Sequence, residues 1–298
     1  MMMWPAVALV GYFCSALAKI IDKGLLARTI PDPRVYTVWT GILSSFVVVF
    51  ALYDFSILPP ALMGWALLSG LSFGVSLYCF YSALRQFEVS RVVPLFVGIA
   101  PFTTIALSAE VLGEYVDGWN LGVLSLLIIG GVLLAWERRS SIAFSALLGG
   151  LTLAAAFALS CHFVFARLVF NGTTFINGLI WTRFGLILFA LLLLLLPSVR
   201  RSLRGAARPQ RRGMVLFSIN KVIGAAGLFL VNLALANISV SLVHALGSFE
   251  YLFVFAIAGA LSQALPEYEA EDFSRGAALM KLSGVAALGI ASYLLFIA

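Results

Sequence analysis

Charge is what this sequence has least of: 11% of its 298 residues are Asp, Glu, Lys or Arg, against roughly 25% in soluble domains. With 62% of residues apolar, a water-soluble fold could not hide so much hydrocarbon, and the bilayer becomes the solvent to reason with. Cysteine is also scarce. Cys14, Cys79 and Cys161 fall inside apolar runs at unrelated spacings, which excludes a disulfide framework or a thiolate metal site and leaves them as small packing residues. Only two histidines occur, His162 and His244, and no HExxH, nucleophile elbow or phosphate-binding loop accompanies them. A membrane-embedded enzyme needs a clustered base, nucleophile or metal, so it stands only as a competing class. No catalytic residue, metal ligand or cofactor is expected. The longest connection between apolar runs is about seventeen residues, too short for an extramembrane enzyme or receptor domain. No basic residue precedes the first run, so that run reads as an uncleaved helix rather than a signal peptide.

What the chain does have is long apolar runs, with a mean hydropathy of +1.06. Runs of the length that spans a bilayer lie near 3 to 21, 35 to 53, 60 to 84, 92 to 112, 119 to 136, 143 to 168, 174 to 196, 214 to 236, 240 to 264 and 276 to 297. Barrel strands would be shorter and would alternate polar with apolar; the leucines from Leu191 to Leu196 show no alternation. The expected fold is an all-α integral membrane protein of ten transmembrane helices.

Landmarks recur in order along the chain. Ala16-Leu17 returns as Ala158-Leu159, Trp39-Thr40 as Trp181-Thr182, and Val89-Ser90 as Val240-Ser241, while Gly122 and Gly130 match Gly276 and Gly284. The spacing grows only where a loop can lengthen, so residues 1–140 and 141–298 read as two copies of one five-helix unit. Because five is odd, the second copy enters the membrane from the opposite side, and the repeats are inverted.

The connections after the odd-numbered runs hold 14 of the 19 basic residues, and the even-numbered ones hold Arg167 alone. The positive-inside rule then puts the odd-numbered loops in the cytoplasm and both termini outside. The net charge of +6 thus reports orientation in a bacterial-type cytoplasmic (inner) membrane, not a nucleic-acid partner. The arginine-rich connection from Arg200 to Arg212 reads as a topology anchor, with anionic lipid headgroups as the alternative.

The stretch Tyr81-Ser-Ala-Leu84, Glu88-Val-Ser-Arg-Val-Val-Pro94, Ala100-Pro101, Leu112-Gly113-Glu114, with Gly122 and Gly130, resembles the EamA domain of the drug/metabolite transporter superfamily. The second copy is a looser match: it keeps Ser241, Glu250-Tyr251, Gly276 and Gly284 but has Leu265-Pro266-Glu267 where the first copy has Leu-Gly-Glu. The resemblance implies two inverted EamA repeats around a central cavity, and transport of metabolites, amino acids, drugs, sugars or their nucleotide conjugates. Many ten-helix members are thought to keep both termini in the cytoplasm; the charge count here places them outside.

Ionisable groups in hydrocarbon cost at least about 2.5 to 3.5 kcal/mol each, so each calls for a partner or a purpose. Those within the runs are Lys19, Arg183, Lys221, Lys281 and Glu250. Asp22 and Glu110 read as lying near helix ends, and Glu114 as capping or anchoring one. Arg183 and Glu250 fall near the middles of runs seven and nine and are expected to face the interior as a pair, Glu250 exchanging a proton or binding solute and Arg183 holding an anionic group; a fixed structural ion pair is the bland alternative. Lys19, Lys221 and Lys281 either contact solute or snorkel to the interface. His162 and His244 are expected as proton relays or as packed core histidines. Tyr81, Trp39, Trp181, Asn232 and Tyr251 are candidates for lining a cavity, although aromatics are also ordinary in membrane cores. Gly70 and Gly74 form a GxxxG for helix packing, with dimerisation second, so a monomer is expected and a dimer is the alternative. The repeat, the intramembrane charges and the short connections predict a secondary transporter or exporter working by alternating access, and the cationic excess makes its solute a small anionic or zwitterionic metabolite or amino acid. A flippase for an anionic lipid or polyprenyl-phosphate-linked headgroup fits the same excess. The partners implied are a small-molecule solute and the lipid bilayer.

Overall fold

A computed structural model describes residues 3–87, 89–135, 146–205 and 211–262, with scattered positions between 283 and 294. Among these residues the chain is helical and carries no strand. The helices are α1 (Met3–Arg28), α2 (Pro33–Leu43), which continues as a 3-10 turn (Ser44–Leu52), α3 (Pro60–Gln86), α4 (Val89–Leu112), α5 (Gly118–Ala135), α6 (Ala146–Gly172), α7 (Phe175–Leu195), α8 (Pro197–Gly205), α9 (Arg211–Leu235), α10 (Val240–Leu246) and α11 (Ser248–Ser262). The first nine apolar runs each coincide with helical residues. Six of the described helices are long and apolar enough to cross a membrane: α1, α2 with its 3-10 turn, α3, α6, α7 and α9. The tenth run, with Lys281 and Gly276, lies largely outside the described residues, as do Arg138, Arg139, Arg208, Arg275 and Leu265-Pro266-Glu267.

Local chemistry sets the ends. Asp32 caps α2 by accepting the Arg34 amide, and Pro33 takes the first helical position, where its missing N–H costs nothing. Thr174 caps α7 and Ser239 caps α10 in the same way. Gly113 follows α4 at φ +67°, the left-handed stop that a residue without Cβ adopts freely. Gly247 separates α10 from α11, and its amide turns back to the carbonyl of His244 at 3.0 Å.

α1 packs against α9 and α11, and α6 packs against α3 and α4. Two seams are built from small residues. A Cβ on Gly11 would lie 2.8 Å from the Gly227 carbonyl, and one on Gly227 would lie 2.7 Å from the Gly11 carbonyl, so α1 and α9 cross backbone to backbone. Gly70 and Gly185 do the same for α3 and α7, while Gly74 faces the Phe189 ring. Without a hydrophobic drive between helices in lipid, such close approach supplies the contact energy. The GxxxG of α3 therefore serves packing within the chain.

The connections sort to two ends. At one end, Lys23 donates to the Leu84 and Phe87 carbonyls, Arg85 to Pro31, and Arg34 to Ser198. At the other, Thr174 bonds Asp54, Asn177 bonds Ser56, and Glu114 receives the Val240 amide while facing Arg167 at 3.7 Å. The connections at 29–32, 87 and 196 therefore share one end, and those at 53–59, 113–117, 173–174 and 236–239 lie away from it. Glu114 caps α10, as the Leu-Gly-Glu reading expects.

Candidate functional site

The buried charges form three layers along the bundle. α1 supplies two of them, because it runs about two turns beyond the expected end of the first run and carries Lys19 and Asp22 on one face, three residues apart. Lys19 meets Glu250 of α11: its Nζ donates to Oε2 at 2.8 Å and stands 2.8 Å from Oε1, the second oxygen making the ion pair without an aligned hydrogen bond. The same ammonium lies over Phe80 and Phe96, 5.2 and 5.0 Å from their ring centres, within cation–π range. Tyr12 and His244 are within electrostatic reach of this pair.

Toward the end that carries Arg34 and Arg85, Asp22 gathers donors from two other helices on a single oxygen. Tyr36 of α2 bonds Oδ1, Asn220 of α9 reaches it at 2.6 Å, and Lys221 at 2.8 Å. Lys221 also donates to the Tyr81 hydroxyl at 3.1 Å and sits against three rings, 4.5 Å from Tyr36, 5.1 Å from Tyr81 and 5.3 Å from Phe217. The rings hold one another edge to face: Tyr36 is 4.7 Å from Tyr81 and 5.0 Å from Phe217. This is a desolvated ion pair with its remaining donor capacity met, the arrangement that lets buried charge persist.

The third layer lies nearer the other end. Arg183 of α7 is 8% exposed and faces Phe73 of α3, with Cζ 5.4 Å from the ring centre. Among the described residues no carboxylate or carbonyl accepts from its guanidinium. His162 of α6 stacks on the same ring at 4.7 Å and lies within electrostatic reach of Arg183. Its Nδ1 is bound to Ser69, and its Nε2 is buried without a partner. Beside it runs a hydroxyl network in which Thr104 bonds His244 Nδ1 and Ser160, Ser160 meets Thr103 at 2.6 Å, and Ser108 meets Ser241 at 3.0 Å.

These layers correct the sequence reading in several places. Arg183 and Glu250 are both interior, but they are not a pair; Lys19 takes Glu250 because α1 and α11 are neighbours. Lys19 and Lys221 do not snorkel, since each ends on a carboxylate. Asp22 is a buried acid at 5% exposure rather than a helix-end residue. Tyr81 joins the Asp22 cluster. Trp181 points instead to the 53–59 connection, where its indole donates to the Ser56 carbonyl at 3.0 Å and stacks on Phe55. Asn232 spends its amide on Leu228 of its own helix. Trp39 packs at the edge of the main apolar core, and Tyr251 is buried within it. Lys281 is outside the described residues. Sequence reasoning missed Asp22, Tyr36 and Asn220; the three-residue spacing of Lys19 and Asp22 was the signal that could have found the first.

No family model matches the chain, and no curated protein matches it. The fold itself recurs: a solved structure described as "Crystal structure of protein" superposes with a TM-score of 0.66 at 17% identity, covering 98% of this chain and 96% of its own. At that identity the likeness carries the arrangement of helices and nothing about the task they perform.

Proposed function

We propose that the protein is a secondary transporter that carries a small anionic or zwitterionic metabolite through the helix bundle by alternating access. One observation carries the reading. Asp22 answers Lys221 and Glu250 answers Lys19, and Arg183 is left with its charge unanswered among the described residues. A buried cation without an acid is costly unless something else supplies the negative charge, and a carboxylate or phosphate on a passing solute does so.

The helix pairings support the two-unit, ten-helix architecture. α1 packs on α9 and α11 as α6 packs on α3 and α4, which is the correspondence expected if the first and sixth, third and eighth, and fourth and ninth spans are equivalent. The separation of connections to two ends is what alternating spans produce. The resemblance to the EamA domain agrees with both.

The test is uptake by vesicles carrying the purified protein, with a panel of labelled carboxylates and phosphates as solutes. Transport of at least one anion, lost in Arg183→Ala and partly kept in Arg183→Lys, is expected. Arg183→Ala transporting at the wild-type rate would remove the reading.

A further inference from the structure

We propose that His162 determines which anion the Arg183 site accepts, and that its solute is a carboxylate bearing a neutral hydrogen-bond donor, by class a hydroxy acid. The proposal rests on the reading of Arg183 as an anion site and adds a second contact to it.

The hydrogen bonds around Ser69 fix the state of the imidazole. Ser69 Oγ is 3.0 Å from the His162 carbonyl, which can only accept, so the hydroxyl proton is committed there. His162 Nδ1 then faces two acceptors, the oxygen of that hydroxyl at 2.9 Å and the Ser69 carbonyl at 3.1 Å. An imidazole nitrogen between two acceptors carries the proton, and in the neutral ring the other nitrogen is a bare lone pair. That nitrogen, Nε2, is buried and has no donor, on a residue 1% exposed.

The two groups are therefore complementary halves of one recognition site. Arg183 has donors and positive charge but no acceptor among the described residues, His162 has an acceptor but no donor, and both lie against the Phe73 ring. A solute that satisfies both brings an anionic oxygen for the guanidinium and an O–H or N–H for Nε2. Charge decides between those donors. An ammonium would place a second cation beside Arg183 where no described acid neutralises it, whereas a hydroxyl adds no charge. Protonating Nε2 instead would carry the same electrostatic cost.

The experiment measures thermal stabilisation of the purified full chain by propanoate, 2-hydroxypropanoate and 2-aminopropanoate at equal ionic strength. In the wild type, the hydroxy acid is expected to half-saturate at about five- to tenfold lower concentration than propanoate, the ratio that one hydrogen bond to an otherwise unpaired buried acceptor supplies. The amino acid is expected to be weaker than the hydroxy acid. His162→Phe, which keeps the ring on Phe73 and removes the acceptor, should bring the ratio to one while propanoate still binds. Ser69→Ala, which loosens the imidazole without altering it, should lower the ratio and serves if His162→Phe does not fold. Equal half-saturation by hydroxy acid and propanoate in the wild type, or tighter binding of the amino acid, overturns the role of His162 and leaves the anion site intact. Stabilisation by all three that survives Arg183→Ala overturns the anion reading itself.

Discussion

Tyr36, Asn220 and Lys221 all end on one oxygen of Asp22, so a single carboxylate ties α1 to α2 and α9. Asp22→Asn leaves the Lys221 ammonium buried without its counter-charge, a change of the kind that costs about 3 to 5 kcal/mol. A markedly lower denaturation midpoint is expected for that variant, and Asp22→Leu with Lys221→Met should recover most of the loss, since an apolar pair leaves no buried charge to solvate. A midpoint for Asp22→Asn equal to wild type would show that the pair contributes nothing. At the edge of the bundle Asp32 offers a smaller test. Partial burial works against its charged form, yet the hydrogen bonds from Arg34 outweigh this and hold its carboxyl below the ordinary carboxylate range. Its stabilising effect is thus complete above that range and is lost only as pH falls through the lowered value. Asp32→Ala should cost about 1 kcal/mol, with the difference from wild type constant from neutral pH down to about 5 and shrinking as pH falls below about 4. At this scale the sequence was legible in part. That the buried charges matter could be read from their rarity, but their partners could not, because a partner is chosen by which helices touch. Glu250 is expected beside Arg183 from the sequence and meets Lys19 in the fold.

Elements were more legible than residues, since a run of all-round apolarity fixes a helix whatever its neighbours do. The errors fall where a polar group is rescued by tertiary structure. α1 continues past Ile21 because Asp22 and Lys23 both find partners on other helices. The second run ends in a 3-10 turn and the ninth breaks at Gly247, details that hydropathy does not encode. α8 forms where hydropathy shows only a connection, because its residues are mostly polar. The seams between elements depend on single glycines. Gly185→Val would thrust two methyl groups into the backbone of α3 near Leu67 and Gly70, and overpacking of that kind costs about 1 to 3 kcal/mol. Gly64→Val, where a Cβ meets nothing within 4 Å, is the control. Equal melting of the two variants would show that the α3–α7 seam is not tight.

For the whole molecule, the separation of the connections to two ends was legible from counting basic residues, and it can be checked without a known solute. With the three native cysteines replaced by alanine, a single cysteine at Arg201 and one at Tyr115, both exposed, are expected to react with an impermeant thiol reagent from opposite sides of a sealed vesicle. Labelling of both from the same side would contradict the arrangement. The glycine crossings of α1 with α9 and of α3 with α7 set a mechanical constraint on any rearrangement of the bundle. Where backbones touch with no side chain between them, neither helix can roll or slide without a collision, so each couple must travel as one rod. Two spectroscopic probes placed along one such rod would keep a fixed separation throughout any rearrangement of the bundle, and every change in distance would be confined to probes on different rods.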